Sequence, residues 1–200
     1  MTRVTCQITM SADGFVAGPD QSLDEPLGVG GEALHHWMFQ SAEEVDRALA
    51  DSMLDGVGAY IMGRNMFGGG HGPWSGDWRG WWGDDPPYHC PVFVLTHHPR
   101  DPVEMDGGTT FFFVTDGIEA ALASAREAAG DRDVMIAGGA SCVNQYLAAG
   151  VIDELVLHIA PVVLGDGARL FAGVGPDVRL EVLATSGSAA ATHITYRVGG

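Results

Sequence analysis

Lysine is missing from all 200 residues. The ten basic residues are arginines, set against 26 acids, for a formal charge of −16. Codon bias in a GC-rich genome accounts for the missing lysine without a functional cause. So acidic a chain excludes nucleic acid and anionic membrane as partners. Any anion site has to be local, built from a few arginines and backbone N–H groups. Cysteine is scarce as well. Cys6, Cys90 and Cys142 are odd in number, far apart and without a CxxC pair, which suits a reduced, cytoplasmic protein and not a disulfide framework. No apolar run approaches bilayer length. The polar, alternating start Thr2-Arg3-Val4-Thr5-Cys6-Gln7 is not a signal peptide. The length suits one domain spanning 1–200.

What is present alternates. Val4, Cys6, Ile8 and Met10 mark a first strand, followed by a loop at Ser11-Ala12-Asp13-Gly14. Residues 19–31 read as flexible surface. A capping box at Ser41-Ala42-Glu43-Glu44 opens a helix whose face carries Val45, Ala48, Leu49 and Met53. Buried strands follow at 57–62, 91–96, 110–114 and 134–137. Asp116 caps a helix from Ile118, and a further helix starts at Ala140. From Val151 onward strands come without helices. That order predicts an α/β fold, a mostly parallel sheet with antiparallel C-terminal strands. Four of the five tryptophans lie between Trp74 and Trp82, in an irregular stretch over 68–90. A loop that long could line a substrate pocket, through Trp74 first, or cover a core edge or form a subunit contact.

Three strand ends carry chemistry. Gly63-Arg64-Asn65-Met66 places an arginine where the strand turns into a helix, a position that makes sense if a bound phosphate supplies the negative charge. Thr96-His97-His98 ends the next strand. Gly138-Gly139-Ala140-Ser141-Cys142 offers close backbone approach and helix N–H groups for a pyrophosphate. Parallel strands bring such ends to one edge, where a single extended ligand could span them. The Rossmann G-x-G-x-x-G pattern does not occur at these ends. The pairs His35-His36 and His97-His98 point apart on their elements and predict no metal site.

Met62-Gly63-Arg64-Asn65-Met66-Phe67, Val92-Phe93-Val94-Leu95-Thr96 and Ile136-Ala137-Gly138-Gly139-Ala140 occur in the order of the dihydrofolate reductase fold, which the chain resembles. Ser11-Ala12-Asp13-Gly14 and Pro161-Val162-Val163-Leu164-Gly165-Asp166-Gly167 are similar to segments of the reductase domain of the bacterial riboflavin deaminase/reductase. The resemblance covers nearly the whole chain. It implies a three-layer α/β fold with helices on both faces of the sheet. It also implies an NADPH-dependent reductase passing hydride to a C=O or C=N carbon of a heterocyclic or sugar-linked substrate, as 5-amino-6-(5-phosphoribosylamino)uracil reductase does.

By this resemblance Gly63, Arg64, Asn65 and Met66 touch cofactor phosphates, and Thr96, His97 and His98 lie near the adenosine. Gly138, Gly139, Ala140, Ser141 and Cys142 hold the pyrophosphate, and Val16 and Ala17 border the nicotinamide on a mobile loop. Met66 departs from the folate enzymes, which carry threonine there. The proton donor is Asp46, Asp13 or a water. The deaminase half, with its His-x-Glu and Pro-Cys-x-x-Cys, does not occur. A homodimer is expected, partly because apolar C-terminal strands would otherwise leave an exposed edge. The other reading is a fold relic that binds a nucleotide or similar ligand without turnover.

Overall fold

The structure is a computed structural model that describes residues 2–68, 72–74 and 76–199. In chain order it contains β1 (Val4–Ser11), β2 (Phe15–Ala17), a 3-10 turn (Gly31–His35), α1 (His36–Phe39), α2 (Glu44–Ser52), β3 (Val57–Gly63) and α3 (Arg64–Phe67). Then follow β4 (Pro91–Leu95), β5 (Val103–Glu104), β6 (Thr110–Val114), α4 (Ile118–Ala129), β7 (Asp133–Gly138) and α5 (Ala140–Ala148). The chain ends with β8 (Glu154–Ala160), β9 (Ala168–Arg169), β10 (Arg179–Gly187) and β11 (Thr192–Gly199).

Nine strands form one sheet in the order β10-β11-β8-β1-β7-β3-β4-β6-β5. The run from β8 to β6 is parallel, while β11, β10 and β5 join antiparallel. The expected mostly parallel sheet with antiparallel C-terminal strands is what forms. Strand β3 shows why the centre is parallel: Val57 to Met62 are all buried, as a strand covered on both faces requires. On one face α4 and α5 pack Leu122, Ala125, Val143 and Leu147 against Val4, Cys6, Ile61 and Ile136. On the other, Tyr60, Met62, Val92, Val94 and Phe111 meet Trp74, Trp78 and Trp82.

The tryptophan segment therefore covers a core face. Trp78 donates its indole N–H to the Phe67 carbonyl at 3.0 Å, and Trp82 stacks on Phe111 at 5.9 Å. Gly68 leaves no room for a Cβ beneath Trp81. Residues 69–71 and 75 of this stretch lie outside the described residues.

Strand β1 decides where a site can form. Its pairing with β7 runs only from Val4↔Val134 to Cys6↔Ile136. Its pairing with β8 continues to Ser11↔Ala160. Beyond Cys6, β1 and β7 are no longer paired, so the sheet's hydrogen bonds leave a split between them at the carboxyl edge. Open α/β sheets bind ligands in crevices of this kind.

Several local expectations need correction. Helix α2 starts at Glu44, not Ser41, whose hydroxyl instead accepts the Glu43 N–H at 3.2 Å. Its fully buried side chain is an acid, Asp46, while Ala48 is exposed. Gly117, not Asp116, caps α4, at a φ of 89°. Helix α3 is a single turn of 4 residues, so its dipole offers an anion little. Residues 11–18, expected as a loop, contain β2, which pairs with β9.

Gly58 on β3 lies against α4. A Cβ there would sit 2.8 Å from the Ala129 backbone and from Arg132 Cβ. Gly58→Ala should therefore destabilise the protein by about 1–3 kcal/mol, the usual cost of overpacking. Urea unfolding measures this, and an unchanged midpoint would contradict the packing.

Candidate active site

The three strand ends do meet. β4, β3 and β7 are neighbours in the sheet, so Thr96, Gly63 and Gly138 end side by side. A Cβ on Gly63 would reach Cys142 Cβ at 3.4 Å and the Gly138 and Gly139 backbone at 3.8 Å. A Cβ on Gly138 would meet Met66 Sδ at 3.1 Å. Gly138 has a φ of 138°, a conformation side chains disfavour, and the Gly138–Gly139 peptide is cis. Gly139 faces open space at the start of α5, a helix of 9 residues whose first N–H groups have no intrahelical acceptor. Close approach and open backbone donors thus coexist at one point. Ala140 is buried. Ser141 is exposed, and its carbonyl accepts from the Gln145 amide at 3.1 Å. Cys142 is a packing residue, its thiol pushed up by burial to about 12 and so inert as a nucleophile.

Arg64 leaves this corner toward β4. Its Nη1 donates to Thr96 Oγ1 at 3.4 Å, and its guanidinium carbon lies 3.3 Å from the centre of the Trp74 ring. Arg100 approaches the same ring at 5.2 Å. Burial and then the neighbouring Arg100 hold Arg64 below the usual arginine range. The Trp74 N–H is donated to the His98 carbonyl at 2.8 Å, and His98 N–H is donated to Thr96 Oγ1 at 3.1 Å. Trp74, expected at a substrate pocket, thus stands beside Arg64 and the His97-His98 turn. Asn65 and His97 are exposed. Val16 and Ala17, expected on a mobile loop, are buried in the β2–β9 ribbon, with Val16 in the main core.

Asp13 ties two loops together. Its carboxylate accepts from Ser11 Oγ at 2.6 Å, Leu164 N at 3.1 Å and Gly165 N at 2.7 Å. The Ser11 hydroxyl bond leads in holding its acidity at about 2, so it carries no proton at neutral pH.

Asp46 is fully buried and does not open onto a cleft. It belongs to a polar ribbon across the sheet. Thr9, His158 and His193 stand in register on β1, β8 and β11. Ser188 Oγ donates to Asp46 Oδ2 at 2.8 Å, and His193 Nε2 lies 2.9 Å from Asp46 Oδ1. His193 Nδ1 meets His158 Nδ1 at 2.7 Å, and His158 Nε2 meets the Gln7 amide at 3.0 Å. One assignment satisfies every ring nitrogen: Gln7 donates to His158, His158 to His193, and His193 to Asp46. Trp37 stacks on His158 at 4.2 Å and donates its N–H to Thr9 Oγ1 at 3.1 Å. Burial pushes the Asp46 carboxyl up, but hydrogen bonds from Ser41, His193 and Ser188 outweigh it and hold it below the usual range. A general acid needs the opposite shift. The legible signal for this ribbon was a histidine on each of two strands, His158 between Leu157 and Ile159 and His193 beside Ile194; the residues that join them come from distant elements.

A cavity of about 370 Å³ is lined by Glu25, Gly30, Glu32, Ala33 and His36 and by none of the strand-end residues. Its two glutamates do not suit a phosphate.

The ribbon fixes a pH dependence. Burial and then His193 push His158 down to about 3, so it stays neutral in the fold where the unfolded chain takes up a proton. The unfolded state binds more protons below about pH 6.5, so stability falls with pH from there, by up to about 1.4 kcal/mol per unit. Asp46, depressed in the fold, adds a further loss at lower pH, as it is protonated. His158→Leu should be less stable at pH 7.5 and flatter between pH 6.5 and 4. Equal slopes in denaturant unfolding would contradict the neutral imidazole.

The profile of the RibD C-terminal domain family matches residues 2–193. YwjB of Bacillus subtilis strain 168, described as uncharacterised, is 26% identical over 197 residues, covering 94% of each chain. Dihydrofolate reductase from Enterococcus faecalis, complexed with NADP(H), superposes with a TM-score of 0.60 at 16% identity, over 99% of this chain and 97% of that one. A diaminohydroxyphosphoribosylaminopyrimidine deaminase/5-amino-6-(5-phosphoribosylamino)uracil reductase from Thermotoga maritima gives 0.59 at 14% identity, over 98% of this chain and 56% of that one. At these identities the structural likeness establishes the fold. The chain belongs to the RibD C-terminal domain family and has a dihydrofolate reductase-like fold.

Proposed function

We propose that this chain is an NADPH-dependent reductase acting on a C=O or C=N carbon of a small heterocyclic or sugar-linked substrate, an aminouracil ribityl precursor being the reference case. The observation that carries the reading is the junction of Gly63-Arg64, Thr96 and Gly138-Gly139 at one sheet edge, beside the split between β1 and β7.

The residues present fit the cofactor. Gly139 leaves the start of α5 open, and Arg100 Nη1 is buried without a hydrogen-bond partner among the described residues. The first N–H groups of α5 would take the pyrophosphate, and Arg64 with Thr96 the 2′-phosphate. When bound, NADPH supplies the hydride. The chain's part is to orient it and exclude water. Asp46 and Asp13 are both ionised at neutral pH, so neither delivers the proton, and water is left as its source. Asp46 instead holds His193 and, through it, His158 in one orientation.

The buried Asp46 also favours a second reading, a domain that binds the nucleotide without turnover. Loss of NADPH fluorescence signal on incubation with an aminouracil ribityl precursor separates the two. A homodimer through β10 is part of the first reading. All nine residues of that edge strand are exposed, with Leu180, Val182 and Leu183 at 38%, 56% and 42%. An uncovered apolar edge of this kind calls for a partner strand.

Two measurements test these proposals. Arg64→Ala should weaken NADPH binding about 10- to 100-fold, the scale of a charge-assisted contact, and NADH far less. Equal losses would remove the 2′-phosphate role, and no binding of NADPH at high micromolar concentration would sink the reductase reading. Val182→Glu should shift the protein from dimer to monomer in light scattering; a wild-type monomer would contradict the β10 interface.

A further inference from the structure

The ladder between β1 and β7 stops at Cys6↔Ile136, and the two sides of the split run on into different elements. The β7 side continues into α5, and the β1 side into the 11–14 turn and β2. One segment, residues 164–171 after β8, is bonded to both sides. On the β1 side, Leu164 and Gly165 donate their N–H groups to the two Asp13 carboxylate oxygens at 3.1 Å and 2.7 Å. Arg169 pairs with Phe15 and lies over its ring at 4.4 Å, and Leu170 donates to the Gly14 carbonyl at 2.9 Å. Gly167 lies too close to the Ala17 carbonyl for any side chain.

On the α5 side, among the described residues, the hydrogen bonds to this segment come from Asn144. It is 8% exposed, and both ends of its amide are used. Nδ2 donates to the Arg169 carbonyl at 3.0 Å, and Oδ1 accepts the Phe171 N–H at 2.7 Å. Phe171 has a φ of 64°, a conformation rare outside glycine, at the point where the buried amide holds it. Leu170, between the two anchored positions, is buried in one core with Val16, Cys142 and Val143.

We propose that residues 164–171 form a brace across the split, anchored by Asp13 on one side and Asn144 on the other, and that this brace fixes the width of the ligand crevice. Asn144 stands one turn into α5 from Ala140. A ligand reaching from the first turn of α5 into the split touches both sides at once. The brace therefore sets where the far end of that ligand sits relative to its phosphates. Asp13 and Asn144 are positioning residues in this role. The consequence for the nicotinamide rests on the NADPH reading; the brace itself does not.

The test uses the full chain and needs no substrate. Amide hydrogen exchange is followed residue by residue by NMR in wild type, Asn144→Ala, Asp13→Ala and the double variant. Asp13 stands on a partly exposed turn, so its variant keeps the test open if Asn144→Ala does not fold. Asn144→Ala should speed exchange at the Leu164 and Gly165 amides, which it does not touch. Asp13→Ala should speed it at Phe171, each by about 10-fold or more. The two losses should not add in the double variant, because releasing either anchor frees the whole segment. If each variant alters only the amides bonded to it, or the losses add, the brace is overturned whatever the protein binds.

Affinity tests the positioning role. NADPH is compared with 2′-phospho-ADP-ribose, the same molecule without its nicotinamide ring. Asn144→Ala should weaken NADPH about 5- to 20-fold and the ring-less nucleotide by less than about twofold, since the latter does not extend into the split. If wild type binds neither nucleotide while the remote exchange effects hold, the brace stands and the cofactor reading falls. If wild type binds both, and Asn144→Ala loses neither or loses both alike, the positioning role is overturned and the cofactor reading survives.

Discussion

The candidate site depends on how closely the carboxyl ends of β3 and β7 approach. A side chain on Gly63 would press on Cys142 and the Gly138-Gly139 backbone, and one on Gly138 would press on Met66. Glycine at both ends lets the two strands finish together while the start of α5 stays open. The parting of β1 from β7 beyond Cys6↔Ile136 then sets a crevice beside that junction. The arginine corner follows from the same geometry, because β4 lies next to β3 and delivers Thr96 beside Arg64. Backbone proximity comes first, and the polar groups are placed by it.

The other polar construction in the sheet has a different logic. Asp46, His193, His158 and Gln7 are joined end to end under Trp37, each donor with one acceptor. Burying such groups is tolerable only because the chain is complete; removing one member would strand its neighbours. The completeness also limits what Asp46 can do. Its carboxylate is used up inside the fold and holds no proton to give. Under the proposed reductase reading, chemistry at this edge would rest on cofactor orientation and solvent protons, with Asp46 kept to the ribbon.

The fold was legible where periodicity and strand ends carried it. Strands at 57–62, 91–96, 110–114 and 134–137 could be placed from their apolar runs, and Gly138-Gly139 marked a strand-to-helix turn. Residues 63–66, 96–98 and 138–142 could be brought together from topology alone, because parallel strands align their ends. Side-chain partnerships were not legible in the same way. The apolar stripe on α2 named Val45, Ala48, Leu49 and Met53 and gave no sign that Asp46 would be buried; His193 and Ser188, more than 140 positions away, draw it inside. Asp13 read as a turn or a contact, and only the nearby 164–165 backbone shows that its oxygens are occupied. Arg100 carries no local signal, since its place beside Trp74 depends on the path of a long irregular loop.

The most direct test of the account is a crystal structure of the protein grown with NADPH. The account predicts the nicotinamide in the split between β1 and β7, the pyrophosphate at Gly139 and the start of α5, and the 2′-phosphate beside Arg64 and Thr96. A cofactor bound elsewhere on the protein, or one whose 2′-phosphate points to solvent away from Arg64, would contradict it.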